Sequence, residues 1–268
     1  MNTFTNKNIV ITGGASGIGK IMARLFLQRK ANVILWDINP YLLENTVKEL
    51  SPLGSIEGFI IDVTDLHRIQ TLSKEVLNKY KAIDVLINNA GIVVGKLFQD
   101  HTLDDITKTM DINANAPMYI THCFLPSMIE RKKGHICTIA SSAGLVSNPK
   151  MSVYAASKWS VVGWSDSLRI EMMQNKTNIN VTTIMPYYIN TGMFDGVQSR
   201  IPILDPEKAA LSIVTAIEKN KRMVTLPNYI YRFTRLGQGF LSLSLFDWFA
   251  GKVLGIYKTM EHFTGHKK

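Results

Sequence analysis

Two segments of this chain carry residue types whose spacing could do chemistry. One is Tyr154-Ala155-Ala156-Ser157-Lys158, a phenol and an ammonium four residues apart. On a helix that spacing sets both groups on one face. Free tyrosine titrates near ~10 and free lysine near ~10.4. A neighbouring ammonium favours phenolate and draws the tyrosine pKa toward working pH. A phenol tuned in this way can give a proton to a ketone oxygen or take one from an alcohol. The other segment is Thr12-Gly13-Gly14-Ala15-Ser16-Gly17-Ile18-Gly19. Glycines let a backbone approach a pyrophosphate, and a helix that starts there offers free N–H groups and its positive dipole end. Alone, the first is a surface pair on a helix and the second an ordinary turn. Together they point to hydride transfer on a dinucleotide.

The flanking residues support that context. Asn8-Ile9-Val10-Ile11-Thr12 is short, apolar and β-branched and reads as a strand. Ile18, Ile21, Met22, Leu25 and Phe26 then recur at helical spacing. Strand, glycine turn and helix are the setting a dinucleotide fingerprint needs, here spaced Gly-x3-Gly-x-Gly through Gly13, Gly17 and Gly19. The next apolar run, Asn32-Val33-Ile34-Leu35-Trp36, ends at Asp37. A carboxylate ~20 positions beyond the glycines accepts hydrogen bonds from ribose hydroxyls and repels a 2′-phosphate. No Arg or Lys adjoins Asp37 and position 16 is Ser, so NAD is expected over NADP.

Further strands are expected at 57–61, 84–87, 135–140, 179–184 and 223–226. Helices are expected at 65–80, 102–110, 113–131, 152–174 and 206–219, with Gly134 closing the third. Repeated β–α units predict an α/β fold: a doubly wound, Rossmann-type parallel sheet of about seven strands with helices on both faces. Residues 1–226 would form the NAD-binding catalytic unit and 227–268 a helical extension of the same body. A ligand should cross the carboxyl ends of the strands where their order reverses. Thr12, Asp37, Asp62, Asn88 through Gly91 and Ser141 fall at such ends.

The chain has 268 residues, 46% apolar and 19% charged, the composition of one globular domain. Cys123 and Cys137 suggest neither a disulfide framework nor a metal site, and the six histidines show no ligand spacing. The N-terminus runs straight into the first strand, and no stretch reaches the ~18 apolar residues of a spanning helix. The expected compartment is the cytoplasm or the cytoplasmic face of a membrane. The net charge of +9 is uneven: the last 50 residues hold nine Lys and Arg against Asp247 and Glu261, or +7. Basic residues interleaved with large apolar ones suit a membrane surface better than nucleic acid.

Over roughly residues 6–220 the chain resembles the short-chain dehydrogenase/reductase family. The matching pieces are Thr12 through Gly19, Asp62-Val63, Asn88-Asn89-Ala90-Gly91, Asn113, Ala140-Ser141-Ser142-Ala143-Gly144, Tyr154-x3-Lys158, and Pro186 through Thr191. The resemblance implies that Tyr154 is the general acid/base. Lys158 would bind the nicotinamide ribose and lower the Tyr154 pKa. Ser141 would hold the substrate oxygen, with Ser142 as the fallback, and Asn113 would anchor a proton-relaying water. Gly13, Ser16, Gly17, Ile18 and Gly19 would cradle the phosphates, and Asp37 the adenosine ribose. Asp62 and Val63 would contact the adenine, and Asn89, Ala90 and Gly91 would line the cofactor. Pro186, Ile189 and Thr191 would reach the nicotinamide side. The family's usual Pro-Gly is here Pro186-Tyr187-Tyr188, which would shape the substrate pocket. That stretch and Leu35-Trp36-Asp37-Ile38-Asn39 look like the branch containing 17β-hydroxysteroid and retinol dehydrogenases, which act on bulky apolar alcohols.

The expected activity is an NAD-dependent alcohol dehydrogenase or carbonyl reductase acting on a small-molecule substrate, a lipophilic alcohol or carbonyl compound, in a homodimer or homotetramer. A 3-oxoacyl-type reductase is the alternative within enzymes. A non-catalytic NAD-binding regulator and a membrane-surface protein are the alternatives outside them. Specificity should sit in residues 93–100, 143–153 and 187–205. Residues 236–257 are rich in Phe, Leu and Trp between Arg and Lys. Two readings stay open: a helix packed on the core or a subunit interface, or an amphipathic helix lying on a membrane and bordering the pocket.

Overall fold

The computed structural model describes residues 3–265. Short apolar strands alternate with helices: β1 (Asn8–Thr12), α1 (Gly17–Gln28), β2 (Asn32–Asp37), α2 (Pro40–Leu50), β3 (Ile56–Ile60), α3 (Leu66–Tyr80), β4 (Val85–Asn88), α4 (Leu103–Met110), α5 (Ala116–Glu130), β5 (Gly134–Ile139), α6 (Ser152–Gln174), β6 (Ile179–Pro186), α7 (Pro206–Glu218) and β7 (Met223–Leu226). The strands form one sheet in the order β3-β2-β1-β4-β5-β6-β7, with every pair parallel. This is the doubly wound, Rossmann-type α/β fold. Strand order reverses between β1 and β4, which opens a crevice at their carboxyl ends.

Successive side chains of a strand face opposite sides of the sheet. Ile9, Ile11, Val33 and Leu35 accordingly join Phe26 of α1 and Ile213 of α7 in one layer. Val10, Ile34 and Trp36 join Leu72 of α3, Phe124 of α5 and Met172 of α6 in the other. Burial on both faces is why these strands read as continuous apolar runs rather than alternating ones.

The helix α2 adds to the elements expected from the sequence. Helices α3 and α4 start one residue inside the expected positions, because a side chain at each expected first residue is the cap. Asp65 accepts from the Arg68 N–H, and Thr102 and Asp105 form a reciprocal capping box. The expected helix 113–131 divides into a π turn, Asp111–Asn115, followed by α5.

The C-terminal stretch 236–257 is not one helix. Helix α8 (Tyr229–Phe240) stops at Leu241, which is extended, and Ser242 caps a short α9 (Leu243–Trp248). Gly237 and Gly239 weaken the last turn of α8. Ile230, Ala250 and Met260 of this region are buried, while Phe240, Leu243 and Trp248 are exposed. It therefore packs on the body through some residues and turns others to solvent. Among the described residues no helix is long and apolar enough to cross a membrane.

Candidate active site

Strand ends supply the site. At the end of β1 the Thr12 hydroxyl accepts from the N–H groups of Asn89 and Ala90, each at 3.0 Å. The Asn89 amide donates back to the carbonyls of Thr12 (3.0 Å) and Gly13 (2.9 Å). These bonds pin the loop after β4 to the glycine loop across the switch point. Gly13 has φ 62°, and a Cβ there would come within 2.9 Å of the Ala90 Cα. A Cβ on Gly19 would come within 2.1 Å of the Gly13 carbonyl oxygen. The first turn of α1 therefore lies directly under the loop, with its N-terminus turned toward the crevice.

Asp37, at the end of β2, accepts from the Ala15 N–H (2.9 Å) and the Asn39 N–H (3.0 Å). A carboxylate has room for further donors beyond two. Asp62 is fixed by the backbone N–H and hydroxyl of Thr64, at 2.9 and 2.8 Å.

The chemistry-bearing side chains sit on the far side of the crevice. Lys158 is buried, donates to the Ile139 carbonyl at 3.1 Å and lies 5.6 Å from the centre of the Tyr154 ring. Burial lowers the Lys158 pKa to about 8. Burial also pushes the Tyr154 phenol above its ordinary value, and a hydrogen bond with Ser141 works the other way. The expected downward pull of Lys158 on Tyr154 is outweighed here, because desolvation penalises phenolate and ammonium alike.

Ser141 lies two residues beyond β5, where its Oγ accepts from the Ala143 N–H at 3.1 Å and opens the 3-10 turn Ser142–Gly144. Asn113 lies in the π turn, a distortion that recurs at functional sites. Its amide accepts from the Ile92 N–H (2.9 Å) and donates to the Ile92 carbonyl (2.9 Å) and the Ser157 Oγ (3.1 Å). It thus ties the loop after β4 to the helix that carries Tyr154 and Lys158.

One cavity of about 660 Å³ runs through these groups. Gly13, Ser16, Gly17, Ile18, Asp37, Asp62, Val63, Asn89, Ala90, Gly91, Ser141, Tyr154, Lys158, Pro186, Ile189 and Thr191 line it. Gly19 and Asn113 stand behind its wall and hold other members in place. Ser142 also lines the cavity, but of the two serines it is Ser141 that acts on the Tyr154 phenol, drawing its pKa down.

Beyond Tyr154 the walls turn apolar. Tyr187 and Tyr188 meet edge to face, as do Tyr188 and Phe194, and Phe194 meets Tyr154. Tyr187 does shape this end, with its hydroxyl 2.7 Å from the Ser199 Oγ. Residues 143–153 and 187–205 contribute to the lining, whereas 93–100 do not: Gly95 is covered by Phe263. Their place is taken by Tyr229, Ile230, Phe233 and Thr234 of α8, with Phe249, Leu254 and Ile256. The apolar character of 236–257 was the one sequence signal for this wall. Nothing local in 229–234 announces it.

Where a side chain would intrude, the cradle holds glycine, and at the rim stands a carboxylate with unused acceptor capacity. Both fit a dinucleotide laid across the switch point. With the buried phenol and ammonium in the same cavity, fold and site define a dinucleotide-dependent oxidoreductase. The chain belongs to the short-chain dehydrogenase family, whose model, described as short chain dehydrogenase, matches residues 7–201. It is 33% identical to epidermal retinol dehydrogenase 2 of Mus musculus over 97% of this chain and 86% of that one. It is 32% identical to 17-beta-hydroxysteroid dehydrogenase 13 of Mus musculus over 84% of this chain and 75% of that one. The fold matches a short-chain dehydrogenase/reductase from Burkholderia phymatum, solved in complex with NAD. The TM-score is 0.82 at 24% identity, covering 89% of this chain and 95% of that one.

Proposed function

We propose that the protein transfers a hydride between NAD and a secondary alcohol or ketone, or a similar alcohol or carbonyl group, on a lipophilic skeleton. The observation that carries this reading is the single cavity joining Asp37 and the glycine cradle to Tyr154, Ser141 and Lys158 and continuing into apolar walls. The relatives named for retinol and 17β-hydroxysteroids support an apolar substrate. Asp37 supports NAD over NADP, and with it the oxidative direction. A 3-oxoacyl-type reductase would use the same proton-transfer groups, but Asp37 disfavours the NADP such an enzyme usually takes.

Gly13, Ser16, Gly17, Ile18, Gly19, Asp37, Asp62, Val63, Asn89, Ala90, Gly91, Pro186, Ile189 and Thr191 would hold the dinucleotide, together with Tyr154 and Lys158. When bound, its nicotinamide supplies or accepts the hydride. Ser141 Oγ orients the substrate oxygen toward the Tyr154 hydroxyl. Tyr154 gives that oxygen a proton in reduction and takes one in oxidation. Lys158 keeps a positive charge near the phenol, which favours the phenolate that oxidation requires. Asn113 acts through Ile92 and Ser157 to fix the spacing of these groups.

We read residues 1–226 as the catalytic unit and 227–268 as its extension. The setting we propose is a homodimer or homotetramer in the cytoplasm or at the cytoplasmic face of a membrane, touched through 236–257. An absorbance screen with NAD and NADP over sterols, retinoids, long-chain alcohols and 3-hydroxyacyl thioesters tests the activity. Turnover of apolar alcohols with NAD is expected. Turnover confined to acyl thioesters with NADP would replace this reading with the reductase.

A further inference from the structure

We propose that the exposed face of α8 and α9 docks the protein on an anionic lipid surface, with the mouth of the cavity opening onto it. This deepens the membrane contact named above and rests on that reading. Tyr229, Phe233, Leu236 and Phe240 recur at helical spacing and form one stripe of α8, while Ile230 and Thr234 on another face are buried. The stripe is turned outward: Phe233 is 71% exposed, Leu236 56% and Phe240 84%. Leu243 (76%) and Trp248 (52%) of α9 extend it. An apolar stripe facing solvent over two consecutive elements signals an unmet partner.

Two further observations select that partner. The stripe is continuous with the cavity, because Tyr229 and Phe233 also line it. An apolar ligand leaving a bilayer would move from lipid to cavity wall without crossing water. Charge selects the lipid. Arg232, Arg235, Lys252 and Lys258 of the same segment are all exposed, with the Arg235 guanidinium 5.6 Å from the centre of the Tyr231 ring. The one acid between residues 228 and 258, Asp247, is engaged by the Tyr257 hydroxyl at 2.6 Å. A basic rim around an apolar centre matches lipid headgroups of negative charge. In a twofold contact between two copies the same rims would approach one another and repel.

The region is built to bear a load. The Gln238 amide donates to the Leu145 carbonyl at 2.8 Å, just beyond Ser141. Arg200 donates to the carbonyls of Lys252 (3.1 Å) and Val253 (2.7 Å) from the loop after β6.

The test uses the full chain and sedimentation with vesicles. One set is phosphatidylcholine alone and the other an equal mixture of phosphatidylcholine and phosphatidylglycerol. Each basic side chain near an anionic surface contributes ~5-fold to partition. The mixed vesicles should therefore bind at least ~100-fold more tightly, and less so as salt rises. The F240E/L243E double variant should lose more than ~10-fold of that binding, since charge now faces the acyl boundary. Its NAD affinity and melting temperature should stay unchanged, because neither residue lines the cavity or is buried. Failure of the wild-type chain to bind mixed vesicles overturns the proposal. So does a double variant that binds them undiminished, or one that lowers the subunit count in lipid-free buffer, which would make the stripe a contact between copies. Vesicle binding involves no turnover, so an inactive protein that still sediments would sink the proposed activity and leave this proposal standing.

Discussion

Tyr154 and Lys158 share the cavity and are both buried, and burial moves their pKa values in opposite directions: Tyr154 up and Lys158 down to about 8. Both shifts have one cause, the cost of holding a charge away from water. Tyr154→Phe should reduce turnover by ~100-fold or more while leaving NAD binding intact, since only the proton-transfer group is removed. Single-turnover rates alongside a binding titration check this. Ser141→Ala should cost far more activity than Ser142→Ala, because Ser141 makes the bond to the phenol. Equal losses in matched assays would reassign the substrate-orienting hydroxyl. Asp37→Ala should narrow the preference for NAD over NADP, read as the ratio of the two dissociation constants. These positions were legible in the sequence because each lies within a few residues of a strand end or on one helix face. The direction of the Tyr154 shift was not, because burial is a property of the assembled walls.

Local rules and tertiary fit collide in α1. Alanine normally stabilises a helix relative to glycine by ~1 kcal/mol. Gly19→Ala should nonetheless weaken NAD binding and lower the melting temperature, because the added methyl meets the Gly13 carbonyl oxygen. Thermal scans with and without NAD separate the two effects. In β5 the sensitive residue is His135, buried with its Nε2 2.8 Å from the Thr182 hydroxyl of β6. Burial, helped by the charge of Lys7, lowers its pKa to about 4. The unfolded chain takes up this proton near ~6.5 and the folded chain only near 4. Its contribution to stability is thus whole above ~6.5 and falls with pH toward 4, by at most ~1.4 kcal/mol per unit. Denaturant titrations at pH 7 and pH 4.5 should show that loss, with a shallower pH slope in His135→Gln. Strands such as β1 and β2 were legible because burial on both faces leaves continuous Val, Ile and Leu runs. Helix α2 was not, because only Leu43, Thr46 and Leu50 are buried, one of them polar, while the apolar Tyr41 and Leu42 face solvent. The π turn at Asp111–Asn115 leaves no periodic signature either, since it only offsets two helical patterns.

Across the whole molecule, the substrate end is roofed by residues distant in sequence from the groups they cover. The Asn148 amide donates to the Thr259 Oγ (2.8 Å) and the Tyr188 hydroxyl (3.1 Å), the Thr264 N–H donates to the Asp195 carbonyl (2.9 Å), and Phe263 covers Gly95. No local pattern announces such contacts, and of the three segments expected to set specificity 93–100 is the one absent from the lining. Arg200→Ala should loosen the roof by freeing the Lys252 and Val253 carbonyls. The KM for the alcohol should rise several-fold with the NAD dissociation constant unchanged. An equal loss of both would mean that the roof also supports the nucleotide end. The same arrangement sets a timetable for synthesis. Chains fold as they emerge from the ribosome, earlier parts first. The glycine cradle, Asp37, the phenol and Thr191 are all translated before the roof, whose last contacts wait for Phe263 and Thr264. A nascent chain whose residue 226 has just cleared the ribosome should therefore already retain NAD on an affinity resin while still blind to the alcohol, and residues 229–264 are what make it selective.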